Sequence, residues 1–282
     1  MGLDAARGLL ACPVCARALD LGERVASCAN GHTFDVAKQG HLNLLGAAQP
    51  ANADTPAMVE ARSHVLASGA FDAVDEVLAR RAARSRRVLD IGGGTGHHLA
   101  RLLDALPEAR GISLDVSVPA ARRAAKAHAR AASVVADAWG TLPVRSRRID
   151  LVTCIFAPRN RAEFARVLAE GGLLVVVLPD ADHLGSLRER YGLLGIEADK
   201  DARLTRAASG YFEAIGRQRV RTPIAADAEL VRDLIAMGPN AFHGVPESVE
   251  PIATEIAVSV WLFRALVSGS GAAPARSPSG PR

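Results

Sequence analysis

The sequence predicts an α/β protein: a Rossmann-like, mostly parallel sheet of seven strands with helices on both faces, preceded by a small cysteine-rich module. Three observations carry this. Apolar strand patterns and helical patterns alternate from residue 87 to 178, as a parallel sheet with crossover helices requires. A short apolar strand runs straight into a glycine-rich turn, VLDIGGGTGHH at 88 to 98. Three of the four cysteines fall within residues 12 to 28, ahead of both.

Size and composition permit this plan and exclude others. With 282 residues, 49% of them hydrophobic, the chain can bury a full core. Apolar runs such as LLVVVL at 173 to 178 are far shorter than the roughly 18 residues a membrane span needs, and no charged-then-apolar leader opens the chain. A soluble cytoplasmic protein with no membrane partner is expected. The net charge of +4 allows a nucleic-acid partner without demanding one.

Residues 1–45 have few long apolar runs, so something other than an ordinary core must hold them. Cys12 and Cys15 form a C-x2-C knuckle, and Cys28 with His32 follows after twelve intervening residues. Two thiolates on one tight turn can take adjacent vertices, and CANGH at 28 to 32 bends a third thiolate and an imidazole toward them. The result is a closed Cys3His site for structural Zn2+. In so small a segment the metal supplies folding free energy on the order of 10 kcal/mol. His41 is read as outside the ligand set. Cys154, in a distant apolar strand, is read as a small buried hydrophobe.

Residues 46–84 form a helical linker. Met58, Val59, Val65 and Leu66, then Phe71, Val74, Val77 and Leu78, recur at three- and four-residue spacing, giving two helices broken at Gly69. The main domain, 85–267, follows with a strand at 87–91, helix 97–106, strand 110–115, helix 118–129, strand 132–136, strand 149–156, helix 160–169 and strand 173–178. Beyond Pro179 come a helix at 183–190, a strand at 211–221, a helix at 227–236 and a strand at 255–263, the two strands forming an antiparallel edge. The Gly, Ser, Pro and Ala tail at 268–282 has nothing to bury and is expected to be disordered.

Gly92, Gly93, Gly94 and Gly96 permit positive φ and close approach of backbone to a ligand, and a helix begins near His97. Asp90, Thr95 and His97 belong to the same turn and are candidate cofactor contacts. NAD, FAD, nucleotide and S-adenosylmethionine folds all place such a turn at the first strand-to-helix crossing. Asp115, 25 residues after Asp90, ends the second strand where a carboxylate accepts ribose hydroxyls. Asp137 ends the third and is placed to address an adenine edge, with Trp139 or Leu142 packing on the ring. The turn is GGGTG after Asp-Ile rather than G-x-G-x-x-G, and an acidic residue in it suits a cationic methionine moiety. S-adenosylmethionine is therefore the better fit, and a class I methyltransferase the expected fold. The alternative for Asp115 and Asp137 is capping of the helices that follow.

Together these segments resemble a known family. CPVC at 12 to 15, CANGHTFDVAKQGHLNLL at 28 to 45, ADTPAMVEARSHVLASGAF at 53 to 71, VLDIGGGTGHH at 88 to 98 and FAPRN at 156 to 160 are similar to the bacterial 23S rRNA guanine-N1 methyltransferases. GGGTGHH and FAPRN look closest to the branch that confers resistance to tylosin-like macrolides. The resemblance extends over most of residues 9 to 263. It implies zinc on Cys12, Cys15, Cys28 and His32, and S-adenosylmethionine against Gly92, Gly94, Thr95 and Asp115, with Phe71 and His183 as further cofactor contacts. Phe71 stands where the family often has tyrosine, so the hydroxyl is lost. His41 replaces another tyrosine and is expected to stack on RNA in its place.

The implied activity is methyl transfer from S-adenosylmethionine to N1 of a guanine in a hairpin loop of 23S rRNA, by a homodimer whose paired zinc modules flank the hairpin. FAPRN follows the fourth strand, where this fold meets its acceptor. Pro158 shapes the loop, and Arg159 and Asn160 are the candidate catalytic residues, Arg159 on guanine O6 and Asn160 on the base edge. The alternative is a plain strand-to-helix turn with Asn160 as N-cap. Arg17, Arg24, Lys38 and Arg62 are candidates for positioning RNA. Two other functions compete: a small-molecule methyltransferase, which has no use for a zinc module, and a non-catalytic zinc-stabilised RNA-binding protein, which has no use for an intact GGGTG turn.

Overall fold

A computed structural model of the chain describes residues 2–196 and 200–266. The tail expected to be disordered at 268–282 lies outside them. Near the amino terminus β1 (Leu19–Leu21), β2 (Val25–Cys28) and β3 (Thr33–Asp35) form an antiparallel ribbon in that order. The large sheet comprises β4 (Leu42–Asn43), β5 (Arg87–Ile91), β6 (Arg110–Asp115), β7 (Ala131–Val135), β8 (Ile149–Ile155), β9 (Leu168–Pro179), β10 (Phe212–Ala226) and β11 (Ile252–Ala265). Its order is β10-β11-β9-β8-β5-β6-β7-β4. The strands from β9 to β4 pair in parallel, and β11 and β10 add the antiparallel edge that the sequence predicts.

Helices cover both faces: α1 (Pro56–Ala67), α2 (Asp72–Arg81), α3 (His97–Ala105), α4 (Val118–Ala124), α5 (Arg161–Val167), α6 (Gly185–Tyr191), α7 (Lys200–Ala208) and α8 (Ala228–Ala236). The period of two along β5 explains how one strand feeds two cores. Leu89 and Ile91 join Ile112, Leu114 and Phe164 on one face, while Val88 joins Leu103, Val74 and Val231 on the other. Thr55 caps α1 by accepting the Met58 N–H at 3.3 Å, with Pro56 inside the first turn. Gly69, with φ at +81°, separates α1 from α2.

Several boundaries differ from the sequence reading for identifiable reasons. The sheet has eight strands rather than seven, because Leu42 and Asn43 pair in parallel with Val134 and Val135 of β7. Two residues carry no periodicity. Leu3, Leu9 and Leu10 share one core with Leu89, Ile112 and Leu114 of the large sheet and with Leu19, Leu21 and Cys28 of the ribbon, so the chain before the first cysteine joins the metal module to the sheet. The helix expected over 118–129 stops at Ala124, since Lys126 and Ala127 donate to the carbonyls three residues back and tighten its end. The strand expected at 173–178 begins at Leu168. Helix α7 has no counterpart in the sequence reading: among its described residues only Leu204 and Ala208 are buried, in a charged segment. Among the described residues no helix is long and apolar enough to cross a membrane.

The strand order positions the site. From β5 the chain builds β6 and β7 on one side, then returns to lay β8 and β9 on the other. Loops leaving β5 and β8 therefore diverge and open a crevice at the carboxyl ends of the strands. The glycine turn leaves β5 and FAPRN leaves β8.

Candidate active site and metal centre

The glycine turn is pressed against its neighbours so closely that side chains are excluded. A Cβ on Gly92, whose φ is +63°, would lie 2.5 Å from Ala157 Cβ of the FAPRN loop. One on Gly93 would lie 2.3 Å from Ser113 Oγ and 2.9 Å from Asp90 Oδ2. Thr95 is buried at the base of the turn and His97 opens α3. The Asp115 carboxylate, at the end of β6, accepts the Gly94 N–H through Oδ2 and the Ser117 N–H through Oδ1, both at 2.8 Å. Burial raises the Asp115 carboxyl against the pull of those two donors.

Asp90 departs from its expected place among the cofactor contacts. It is buried beneath the turn, accepts the Thr153 hydroxyl at 2.7 Å and faces Gly93. Burial pushes its carboxyl up to about 6, with the Thr153 bond opposing. Asp90 thus supports the turn from below. Asp137 is exposed and accepts the N–H of Trp139 at 2.9 Å. Leu142, a candidate for packing on adenine, is only 1% exposed and belongs to the core, which corrects that expectation.

Arg62 is also corrected. Instead of facing RNA, its guanidinium pairs with Asp54 and donates to the Met237 carbonyl at 2.6 Å. Its Nη1 stands 3.3 Å from where a Gly94 Cβ would be. Ser117 Oγ donates to the Asp54 carbonyl at 2.8 Å. These bonds draw the start of the linker, α1 and the end of α8 over the glycine turn.

A line of rings runs from the core to the surface beside the glycine turn, from Phe71, only 2% exposed, to Phe156. Phe71 meets His98 and Phe156 edge-on, with centroids 6.0 and 6.1 Å apart, and Phe156 lies 5.7 Å from His183. Asp75, buried on α2, holds His98 Nδ1 at 2.6 Å and lies 3.3 Å from His97 Nε2. Its carboxyl is lowered by these imidazoles despite the raising effect of burial. Sequence reading missed Asp75, Asp54 and His98: the two acids look like ordinary solvated residues, and His98 had no partner in view. His183 Nδ1 accepts the Ala257 N–H at 3.2 Å, which leaves the ring proton of the neutral form on Nε2.

In FAPRN, Phe156 has a left-handed φ of +53°, a strained conformation for an aromatic residue. The Cys154 thiol is pushed up to about 12 by burial and donates to the Ala157 and Pro158 carbonyls at 3.4 Å. It anchors the loop as a protonated thiol. Arg159 has no carboxylate partner among the described residues. Asn160 caps α5 by accepting the Glu163 N–H at 3.4 Å, and its amide donates to the Trp139 and Gly140 carbonyls, each at 3.0 Å. Its side chain is thus spent on the fold, which favours the N-cap alternative over direct contact with a base.

The metal ligands converge. Cys12 Sγ lies 3.6 Å from His32 Nδ1, Cys28 Sγ lies 3.4 Å from the same nitrogen, and Cys15 and Cys28 sulfurs are 3.6 Å apart. All four ligand atoms fall within 4.8 Å of one another. A zinc tetrahedron with Zn–S of about 2.3 Å and Zn–N of about 2.0 Å has edges of about 3.5 to 3.8 Å, so the donor set fits the ion. The ribbon supplies the geometry: the Ala16 N–H returns to the Cys12 carbonyl at 2.9 Å, and the Gly31 N–H to that of Cys28 at 2.9 Å. His41 is outside this group, as expected. It is also 4% exposed and pulled down by burial and Arg122, so it cannot stack on RNA as expected.

Comparison with known proteins agrees with both halves. Residues 10–50 match the family described as the RlmA amino-terminal zinc ribbon, and residues 88–172 match a methyltransferase domain. The chain is 46% identical over 246 residues to a Streptomyces fradiae protein named 23S rRNA (guanine(748)-N(1))-methyltransferase, covering 85% of this chain and 88% of that one. This chain belongs to the 23S rRNA (guanine-N1)-methyltransferase family. Two further relatives bearing that family name are a Micromonospora griseorubida protein, 40% identical over 90% of this chain and 97% of its own, and a Bacillus subtilis protein, 30% identical over 84% and 88%. Solved structures share the fold alone: a Pyrococcus horikoshii protein superimposes with a TM-score of 0.51 at 14% identity, covering 75% of this chain and 96% of its own. The methyltransferase family uses S-adenosylmethionine, and the excluded Cβ positions of the turn with the half-buried Asp115 carboxylate suit its nucleoside and methionine ends.

Proposed function

We propose that this chain transfers a methyl group from S-adenosylmethionine to N1 of an unpaired guanine in a hairpin loop of 23S rRNA, protecting the ribosome against macrolides. The observation that carries this reading is a glycine turn tied to Asp115 and packed against the FAPRN loop, in one chain with a Cys3His zinc ribbon that small-molecule chemistry has no need of. N1 lies on the Watson–Crick edge, so the base must be unpaired or extruded to be reached. A ribosomal substrate places the reaction in the cytoplasm.

When bound, S-adenosylmethionine supplies an electrophilic sulfonium methyl. Asp115, Gly92, Gly94, Thr95, Gly96, His97, Phe71 and His183 would hold the cofactor, and Asp137 would serve its nucleoside. Arg159 donates to guanine O6 and draws electron density from the ring, which eases loss of the N1 proton to water. Most of the rate comes from alignment of N1 with the methyl group. Asn160 acts through Trp139 and Gly140 by fixing the loop that carries Arg159.

Arg17, Arg24 and Lys38 are exposed on the zinc module and meet the phosphates of the hairpin. Residues 1–45 act as the RNA-recognition module, 46–84 as the cover of the cofactor pocket and 85–267 as the methyltransferase domain. A homodimer presents two such modules to one hairpin, which sedimentation of the protein with and without RNA tests. The activity is tested by incubating the protein and labelled S-adenosylmethionine with either a 23S rRNA hairpin transcript or small-molecule extract. Label in N1-methylguanosine after nuclease digestion supports the proposal. Label only in the extract supports a small-molecule methyltransferase, and cofactor binding without turnover supports a non-catalytic RNA-binding protein.

A further inference from the structure

Among the described residues three aromatic side chains are markedly exposed: Trp139 at 68%, Phe242 at 48% and Phe156 at 43%. A single exposed ring is ordinary. Two of the three, Phe156 and Trp139, follow strands of the large sheet at its carboxyl end. Phe156 follows β8, Trp139 follows β7, and Phe242 lies just beyond α8, in the segment whose Met237 carbonyl receives Arg62.

Trp139 is the most exposed of them and is held in place by its backbone. Its N–H is bonded to Asp137 Oδ1 at 2.9 Å, and its carbonyl receives the Asn160 amide at 3.0 Å. The same amide holds the Gly140 carbonyl, so the indole stands on a shelf fastened to the loop of Arg159. An exposed aromatic face on a bonded backbone, tied through Asn160 to the loop that carries Arg159, matches the chemistry of a nucleobase and its phosphate: the π-face accepts any base and the cation accepts the backbone. We infer that Trp139 is a stacking platform for an unpaired base of the RNA substrate, adjacent to the guanine that enters at FAPRN. This rests on the RNA-methylating reading above.

The chain contains two tryptophans, and Trp261 lies on β11, stacked on Phe263. Indole emission therefore reports on Trp139 when wild type is compared with Trp139→Phe. The expected result is that a 23S rRNA hairpin transcript quenches wild-type emission and that the quenching disappears in Trp139→Phe. Trp139→Ala should raise KM for the transcript tenfold or more with unchanged S-adenosylmethionine Kd, and Trp139→Phe should recover most of the loss. A transcript KM within twofold of wild type in Trp139→Ala overturns the platform. So does weakened cofactor binding with unchanged RNA KM, which would put the indole on the cofactor's adenine. The two readings fail differently: wild type that methylates the transcript as well as Trp139→Ala does loses only the platform, whereas a transcript neither methylated nor quenching loses both.

Discussion

Asp115 Oδ2 accepts the Gly94 N–H at 2.8 Å, tying the end of the second central strand to the turn that leaves the first. The bond fixes the glycine turn and leaves the carboxylate at the mouth of the crevice, where the cofactor's ribose is proposed to lie. Asp115→Ala removes both the ribose acceptor and this tie. Cofactor affinity should fall at least tenfold by calorimetry while hairpin RNA still binds. Unchanged affinity would remove Asp115 from the site.

Buried charge beneath the turn gives a pH signature. The Asp90 carboxyl is raised from 3.8 to about 6 in the folded chain, so the folded state binds more protons than the unfolded one between those values. The contribution of this group to stability is greatest below 3.8 and is lost as pH rises through 6. Asn at this position still accepts the Thr153 hydroxyl and carries no charge. Asp90→Asn should therefore gain on wild type between pH 4.5 and pH 7.5, by at most about 2 kcal/mol, or about 3 °C in Tm. Thermal melts at the two pH values check this, and a constant difference in Tm contradicts it.

Zinc should hold the ribbon without holding the sheet. Cys12→Ser is expected to lose stoichiometric zinc by elemental analysis and to lose hairpin binding. The glycine turn is tied to Asp115, and Asp115 to Ser117, with none of these bonds on the ribbon, so S-adenosylmethionine binding should survive. Full zinc retention would contradict the ligand assignment.

Asn160 performs two tasks that substitution can separate. Its oxygen caps α5 through Glu163, and its amide holds the carbonyls of Trp139 and Gly140. Asn160→Ala should cost about 1 kcal/mol of stability and raise KM for RNA with cofactor Kd unchanged. Asn160→Asp keeps the cap but loses both donors, so it should recover Tm more fully than KM. Equal recovery of both would mean that the latch has no part in RNA binding.

Local signals were the legible ones. The period of β5, the glycine turn and the two cysteine pairs each depend on residues close in sequence, and each stands where the pattern placed it. Arg62 was misread because its partner, Met237, is 175 residues away, and nothing in a helical pattern distinguishes an arginine folded inward from a solvated one. His41 was misread for the same reason: its burial beside Arg122 depends on how the amino-terminal segment meets α4. Asp90 is on the expected turn, but only packing reveals that its carboxylate lies under the backbone rather than in the opening.

Primer extension on 23S rRNA, after incubation with the protein and S-adenosylmethionine, tests the central claim most directly. N1-methylguanine cannot pair and stops reverse transcriptase. The account predicts one new stop at a guanine in a hairpin loop, dependent on S-adenosylmethionine and absent from Asp115→Ala at limiting cofactor. Full-length extension with no new stop, from protein that binds the cofactor, would contradict it.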